Sequence, residues 1–286
     1  MNPWRFVLGA CTVLSLACSA EDGGAPATSL GSATGGETAT DTPSTGGATS
    51  STGGDANSGG APPSAGTSGA GGSPSTAPPR SRCAAPAGLG AYPGTIDEAV
   101  NWLNALPKPT TAACFLESLP RPLSVVATNS QFSAQPAFSS ASPRVFIELG
   151  RLWVSAVIDG ESSYLLEFGY RPPDAELNSI KGELKLPLDA AIPASAPYEQ
   201  VRYGSGTTCG FCHRAEEAVT GVPFDAFVSS ALRPRPETYV SVASIRAEHE
   251  RCDWSVNAHR CEMLSAVFDG GEVVETAFPS EMPTFF

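Results

Sequence analysis

The order of apolar and polar positions separates a part of the chain that can build a core from a part that cannot. Thr95 is followed three positions later by Glu98, the spacing of a capping box, and Ile96, Ala99, Val100, Leu103 and Leu106 share one helical face. This predicts a helix that stops at Pro107. A second short helix is predicted over 111–119 and carries Cys114, after which 120–144 reads as a long irregular connection. The runs RVFIEL, RLWVSAVI, SYLLEFGY and SIKGELKLPL are strand-length and rich in β-branched and aromatic residues, with Gly150 and Asp159-Gly160 where turns are needed. They predict an antiparallel meander of about four strands over 144–188. From Thr207 onward the pattern takes the helical period, which predicts helices over 209–219, 223–232, 242–252 and 259–268. The expected fold class is α+β, with a helix and an antiparallel β region over 83–200 and a mainly helical C-terminal region over 201–286.

Residues 19–81 are built from Gly, Ser, Thr, Ala and Pro, with Thr-Gly-Gly at Thr34, Thr45 and Thr52 and Ser-Gly-Gly at Ser58. A segment with so little apolar surface cannot offset the entropy of ordering, so 18–82 is expected to be a disordered tether, with a root-mean-square span on the order of 45 Å. This stretch holds 15 of the 29 Gly but only seven of the 26 Pro. Before the tether, 1–17 has one cation, Arg5, and then an apolar run too short to span a bilayer, the pattern of a signal peptide. That run ends in LSLACSA, which resembles the bacterial lipobox, and the resemblance makes Cys18 the lipidated first residue of the mature chain. Cys11, in LGAC, matches the local pattern but leaves too short an apolar run before it.

Export changes the reading of the remaining cysteines. Outside the cytoplasm thiols are oxidised, so Cys83, Cys114, Cys209, Cys212, Cys252 and Cys261 are compatible with three bridges, or with two bridges and one covalently held cofactor. Proximity along the chain suggests Cys83 with Cys114 and Cys252 with Cys261. Five of the 29 acids and three of the 17 bases precede Cys83, which leaves 24 against 14, a net charge of −10 for the globular part. That balance argues against nucleic acid and anionic lipid as partners, and it leaves the membrane to the N-terminal lipid alone.

The candidate chemistry lies in TTCGFCHRAEE, residues 207–217. Four sites use its Cys209-x-x-Cys212-His213 spacing: a haem attachment, a local disulfide, a redox dithiol, and a zinc site completed by Cys252 or His259. YGSGTT before the motif is not the strand a thioredoxin-like dithiol needs, and no second Cys-x-x-Cys or His-x3-His completes a finger. Two thiols one helical turn apart suit the two vinyl groups on one haem edge, and His213 then falls under the iron. The segment resembles the haem-binding segment of small c-type cytochromes, a resemblance confined to the last third of the chain. It implies one covalent haem c, thioethers at Cys209 and Cys212, His213 as the proximal ligand, and single-electron exchange with a redox partner in the cell envelope. Met282 before Pro283 is similar to the Met-Pro loop that supplies the distal ligand in that family. Met263, His249 and His259 are the other candidates, and Arg233 and Arg235 are candidate partners for the haem propionates.

No catalytic residue is assigned, because G-x-S-x-G, P-loop, H-E-x-x-H and dinucleotide signatures are all missing from the sequence. The expected role is therefore an electron carrier on a lipid-anchored envelope protein, with Ser19 leaning toward the outer membrane or cell surface. Two alternatives stand beside it. One is a disulfide-stapled binding or structural domain, and the other a haem sensor or peroxidase with an open sixth position.

Overall fold

The computed structural model describes residues 83–175, 177–220 and 224–285. The signal segment, Cys18 and the tether lie outside them.

Two short helices open the described part, α1 (Ile96–Ala105) and α2 (Ala112–Ser118). Each starts where a threonine hydroxyl takes an N–H of the first turn: Thr95 from Glu98, and Thr111 from Cys114. The Glu98 carboxylate returns to the Gly94 N–H at 2.7 Å, one residue earlier than the capping box predicts. The meander follows as β2 (Arg144–Leu149), β3 (Leu152–Val157), β4 (Leu165–Tyr170) and β5 (Asn178–Lys185), all antiparallel. A strand precedes it, β1 (Leu123–Thr128), in the stretch expected to be irregular. The run LSVVAT is short and bounded by proline and Ser/Asn, yet β2 supplies its ladder and the core takes Leu123, Val125 and Ala127.

The C-terminal region is less helical than expected. The chain continues through α3 (Ala196–Gln200), β6 (Arg202–Tyr203), β7 (Gly206–Thr207), the single turn α4 (Gly210–His213), β8 (Glu217–Ala218) and β9 (Phe227–Ser230). It then forms α5 (Val242–Glu250), α6 (Ala258–Phe268) and β10 (Val273–Glu275). The last two helices match their expectation. The helices expected over 209–219 and 223–232 are replaced by α4, β8 and β9, because β5 offers an open edge that β9 fills through Asn178–Ser230, Ser179–Ser229 and Ile180–Val228. The result is a mixed eight-stranded sheet in the order β10-β1-β2-β3-β4-β5-β9-β8, with β10 parallel to β1. Strands from both halves of the globular part thus share one sheet, and the class is α+β.

One face of this sheet carries Val145, Ile147, Leu152, Val154, Leu166 and Phe168 into the main core with α1, α2, α5 and α6. Disulfides Cys83–Cys114 and Cys252–Cys261 form as the spacing suggested, the first on α2 and the second between the end of α5 and α6. Among the described residues no helix is long and apolar enough to cross a membrane. The opposite face alternates with the first, as the strand period requires, and puts Phe146, Ser155, Glu167 and Glu183 directly opposite one another across β2 to β5.

Candidate functional site

The segment around Cys209 is set by a small hairpin. β6 and β7 pair through Arg202–Thr207 and Tyr203–Gly206, with Gly204 at φ 59° in the turn. Thr207 then spends its hydroxyl on the Cys209 N–H at 3.1 Å, and the Cys209 carbonyl accepts from Cys212 N at 3.1 Å and His213 N at 2.9 Å. These bonds make the single turn α4 and bring Cys209, Cys212 and His213 within it.

The turn ends because Arg214 (φ 51°, ψ 175°) and Ala215 (φ 46°) both take positive φ. Two successive non-glycine residues there carry strain, so something must hold them. The holding group is Glu216, whose carboxylate accepts from the Thr207 backbone N–H at 2.8 Å and from the Thr207 hydroxyl. It sits against Gly206 and Gly210, where any Cβ would collide with it. Gly206 and Gly210 are thus needed as space for Glu216.

On the inner side His213 is bound by a backbone carbonyl: its Nδ1 lies 2.7 Å from Ser230 O in β9. A carbonyl can only accept, so Nδ1 carries the proton and the lone pair belongs to Nε2. Burial, followed by the Lys181 ammonium, pushes the imidazole down to about 3, so it is neutral at physiological pH. Lys181 also reaches Ser230 O at 3.3 Å and the Ser179 hydroxyl, and burial lowers it to about 8. Burial raises the Cys209 thiol to about 12, with Glu167 adding to the rise and Lys181 opposing it. Burial thus disfavours the Cys209 thiolate that a redox dithiol uses as nucleophile, and among the described residues no β-α-β unit surrounds the motif.

Beside these groups the sheet presents an ionic row. Arg144 reaches Glu167 at 2.5 Å and Ser155 at 2.7 Å, while Glu183 lies opposite Glu167 in the register. Burial, then the Glu167 charge, pushes Glu183 up to about 7. Glu167 Oε1 and Ser229 Oγ are buried with no hydrogen-bond partner among the described residues. Outside the turn, Phe211 and Tyr203 are exposed and their rings lie 5.2 Å apart.

The other sequence candidates fall in several places. Met282 is buried in a second apolar cluster with Val126, Trp153, Ala231 and Phe278, and its carbonyl accepts from Arg233 Nε at 2.7 Å. Ala231, a member of that cluster, follows Ser230, whose carbonyl binds His213. Met263 is fully buried in the main core. His249 is bonded to Asp269 at 2.9 Å, and Arg235 pairs with Glu237 at 3.7 Å. His259 Nε2 lies 2.6 Å from the Ser163 hydroxyl and stacks on Tyr164. That Ser–His contact is structural: Ser163 is completely buried and its hydroxyl proton goes to Gly160 O at 2.5 Å. With Cys252 in a disulfide and His259 on Ser163, both proposed completions of a zinc site are already engaged.

Arg144, Glu167, Lys181 and Glu183 were not singled out from the sequence. The alternation of Ser179, Lys181 and Glu183 with Ile180, Gly182 and Leu184 shows that they share a face. It does not show that other segments cover that face. No protein-family model, curated protein or solved structure matches the chain.

Proposed function

We propose that the chain carries one haem c joined by thioethers to Cys209 and Cys212, with His213 as proximal ligand, and that it passes single electrons outside the cytoplasm. The observation that carries this reading is the 2.7 Å bond from His213 Nδ1–H to Ser230 O. Metal-bound histidines characteristically donate their other ring N–H to a backbone carbonyl or carboxylate, which fixes the tautomer and the ring. The donor set supports this reading: two cysteines and a pre-oriented imidazole share one turn, and the other four cysteines of the globular part are joined to one another.

Bound there, the haem supplies a one-electron change at iron. The chain's own part is to hold the ring nitrogen in place and to keep the proton on Nδ1. Met282 is kept as the distal ligand on its resemblance to the Met-Pro loop, because His249 and His259 are committed to Asp269 and Ser163. The signal segment, the lipobox resemblance at Cys18 and the two disulfides support an envelope lipoprotein, at the outer membrane or cell surface. An acidic globular part suits a basic redox partner.

The test is the intact mass of the full chain exported in a host that has the cytochrome c maturation machinery. One added haem mass in the natural sequence, lost in Cys209→Ser/Cys212→Ser, supports the proposal. A mass without haem in the natural sequence refutes it. If haem is present, a spectrum unchanged by Met282→Ala marks an open sixth position and the sensor or peroxidase reading.

A further inference from the structure

Between β1 and β2 the chain makes a loop over 129–142 that does more than connect. Together with Thr238 it borders a shallow, largely open depression of about 480 Å³. Two large aromatic side chains line this groove and stay in solvent, Phe132 at 77% and Phe138 at 60% of full exposure. Exposed aromatics gathered at one depression mark a binding surface more often than isolated ones do. Every other lining side chain is Asn, Gln, Ser or Thr. No charged residue lines it, on a globular part with a net charge of −10.

The loop is fixed before any ligand arrives. Gln135 is completely buried, and its amide donates to Leu165 O at 2.8 Å and Ser162 O at 3.2 Å and accepts from the Ser155 hydroxyl at 3.0 Å. The Ala137 N–H closes the loop on Ser130 O at 3.1 Å, and Asn129 N–H reaches Thr238 O at 2.9 Å. Phe138 lies flat enough on Gly160 that a Cβ there would come within 2.8 Å of the ring. Asn129 Nδ2 is oriented by the Ser140 hydroxyl at 2.9 Å. A preformed surface loses little ordering entropy on binding.

We propose that this groove binds a neutral oligosaccharide. A sugar ring has an apolar C–H face that covers an aromatic ring and an equatorial rim of hydroxyls that exchange hydrogen bonds with amides and hydroxyls. The lining supplies those two kinds of contact and nothing else. Phosphates, sulfates and uronic acids need a cationic partner to offset their desolvation, and the groove holds none. None of its lining residues belongs to the turn that carries Cys209 and His213, and its test does not depend on the haem.

The test is calorimetric titration of the full chain with cellotetraose, chitotetraose and tetragalacturonate. Saturable binding of either neutral probe, weakened at least tenfold by Phe132→Ala and retained in Phe132→Trp, is the expected result. Cellotetraose alone points to an unsubstituted hexose polymer and chitotetraose alone to an N-acetylated one. Phe132 is mostly in solvent, so its truncation leaves folding intact, and an unchanged circular dichroism spectrum verifies that. Binding of neither neutral probe, tighter binding of tetragalacturonate, or an affinity untouched by Phe132→Ala overturns the proposal.

Discussion

His213 Nδ1 and the carbonyl oxygen of Ser230 lie 2.7 Å apart, so a side chain of the motif turn is pinned to a strand of the central sheet. The same carbonyl accepts from Lys181, which ties the turn, β9 and β5 into one unit. Replacing His213 by Ala removes the anchor and the proposed proximal ligand together while leaving both cysteines in place. In material that carries haem, the expected result is a retained haem mass with loss of the low-spin spectrum. An unaltered visible spectrum would show that another residue is the ligand.

The strained pair after α4 gives a stability prediction. Ala215 sits at φ 46°, where a side chain costs about 1–2 kcal/mol relative to the right-handed region. Ala215→Gly relieves that cost and returns part of it as unfolded-state entropy, for a net gain of about 0.5–1 kcal/mol. The melting temperature should rise by roughly 1–4 °C. A fall would contradict the positive φ.

Gly210→Ala tests the cradle around Glu216. The new Cβ has to displace the carboxylate from Thr207, at a cost of about 1–3 kcal/mol. Denaturant titration should show most of that loss. In the Glu216→Ala background the same substitution should cost much less, because the atoms it collides with are gone.

Glu183 sets a pH dependence. Its carboxyl is raised from 4.5 to about 7, so the folded state binds the proton more tightly than the unfolded chain. The stability this contributes is present below pH 4.5 and is lost as pH rises from 4.5 through about 7. The full gap corresponds to roughly 3 kcal/mol, and residual solvent contact lowers the expected loss to about 2 kcal/mol. Chemical denaturation at pH 5 and pH 8 measures it. Glu183→Gln should remove this contribution and be the more stable protein at pH 8.

The two disulfides close loops of different length, 31 and 9 residues in sequence separation. On chain entropy alone the first is worth about 4 kcal/mol and the second about 3 kcal/mol. Double serine variants compared by urea denaturation should therefore rank Cys83/Cys114 as the more costly loss.

Much of this fold could be read from the pattern of residues. Thr95 with Glu98, the alternation in RVFIEL and SIKGELKLPL, and the nearness of Cys252 to Cys261 are local signals, and local physics decided those elements. Leu123 to Thr128 and Phe227 to Ser230 depart from the local pattern because a short apolar run takes its state from its partner strand. Phe224, Phe227, Val228 and Ala231 even fall at helical spacing, yet the open edge of β5 draws this stretch into the sheet. The motif at Cys209 was visible as spacing. Its surroundings were not, since Arg144, Glu167, Lys181 and Glu183 are distant in sequence and look like the solvent face of a meander until the 207–216 turn is seen to act on them.

Whether Cys209-x-x-Cys212-His213 holds haem decides the function of the chain. An alkaline pyridine haemochrome spectrum of the exported full chain tests it most directly. A c-type absorbance that survives acidic organic extraction, and disappears in Cys209→Ser/Cys212→Ser, is the predicted result. A colourless protein with Cys209 and Cys212 bridged to each other would contradict it.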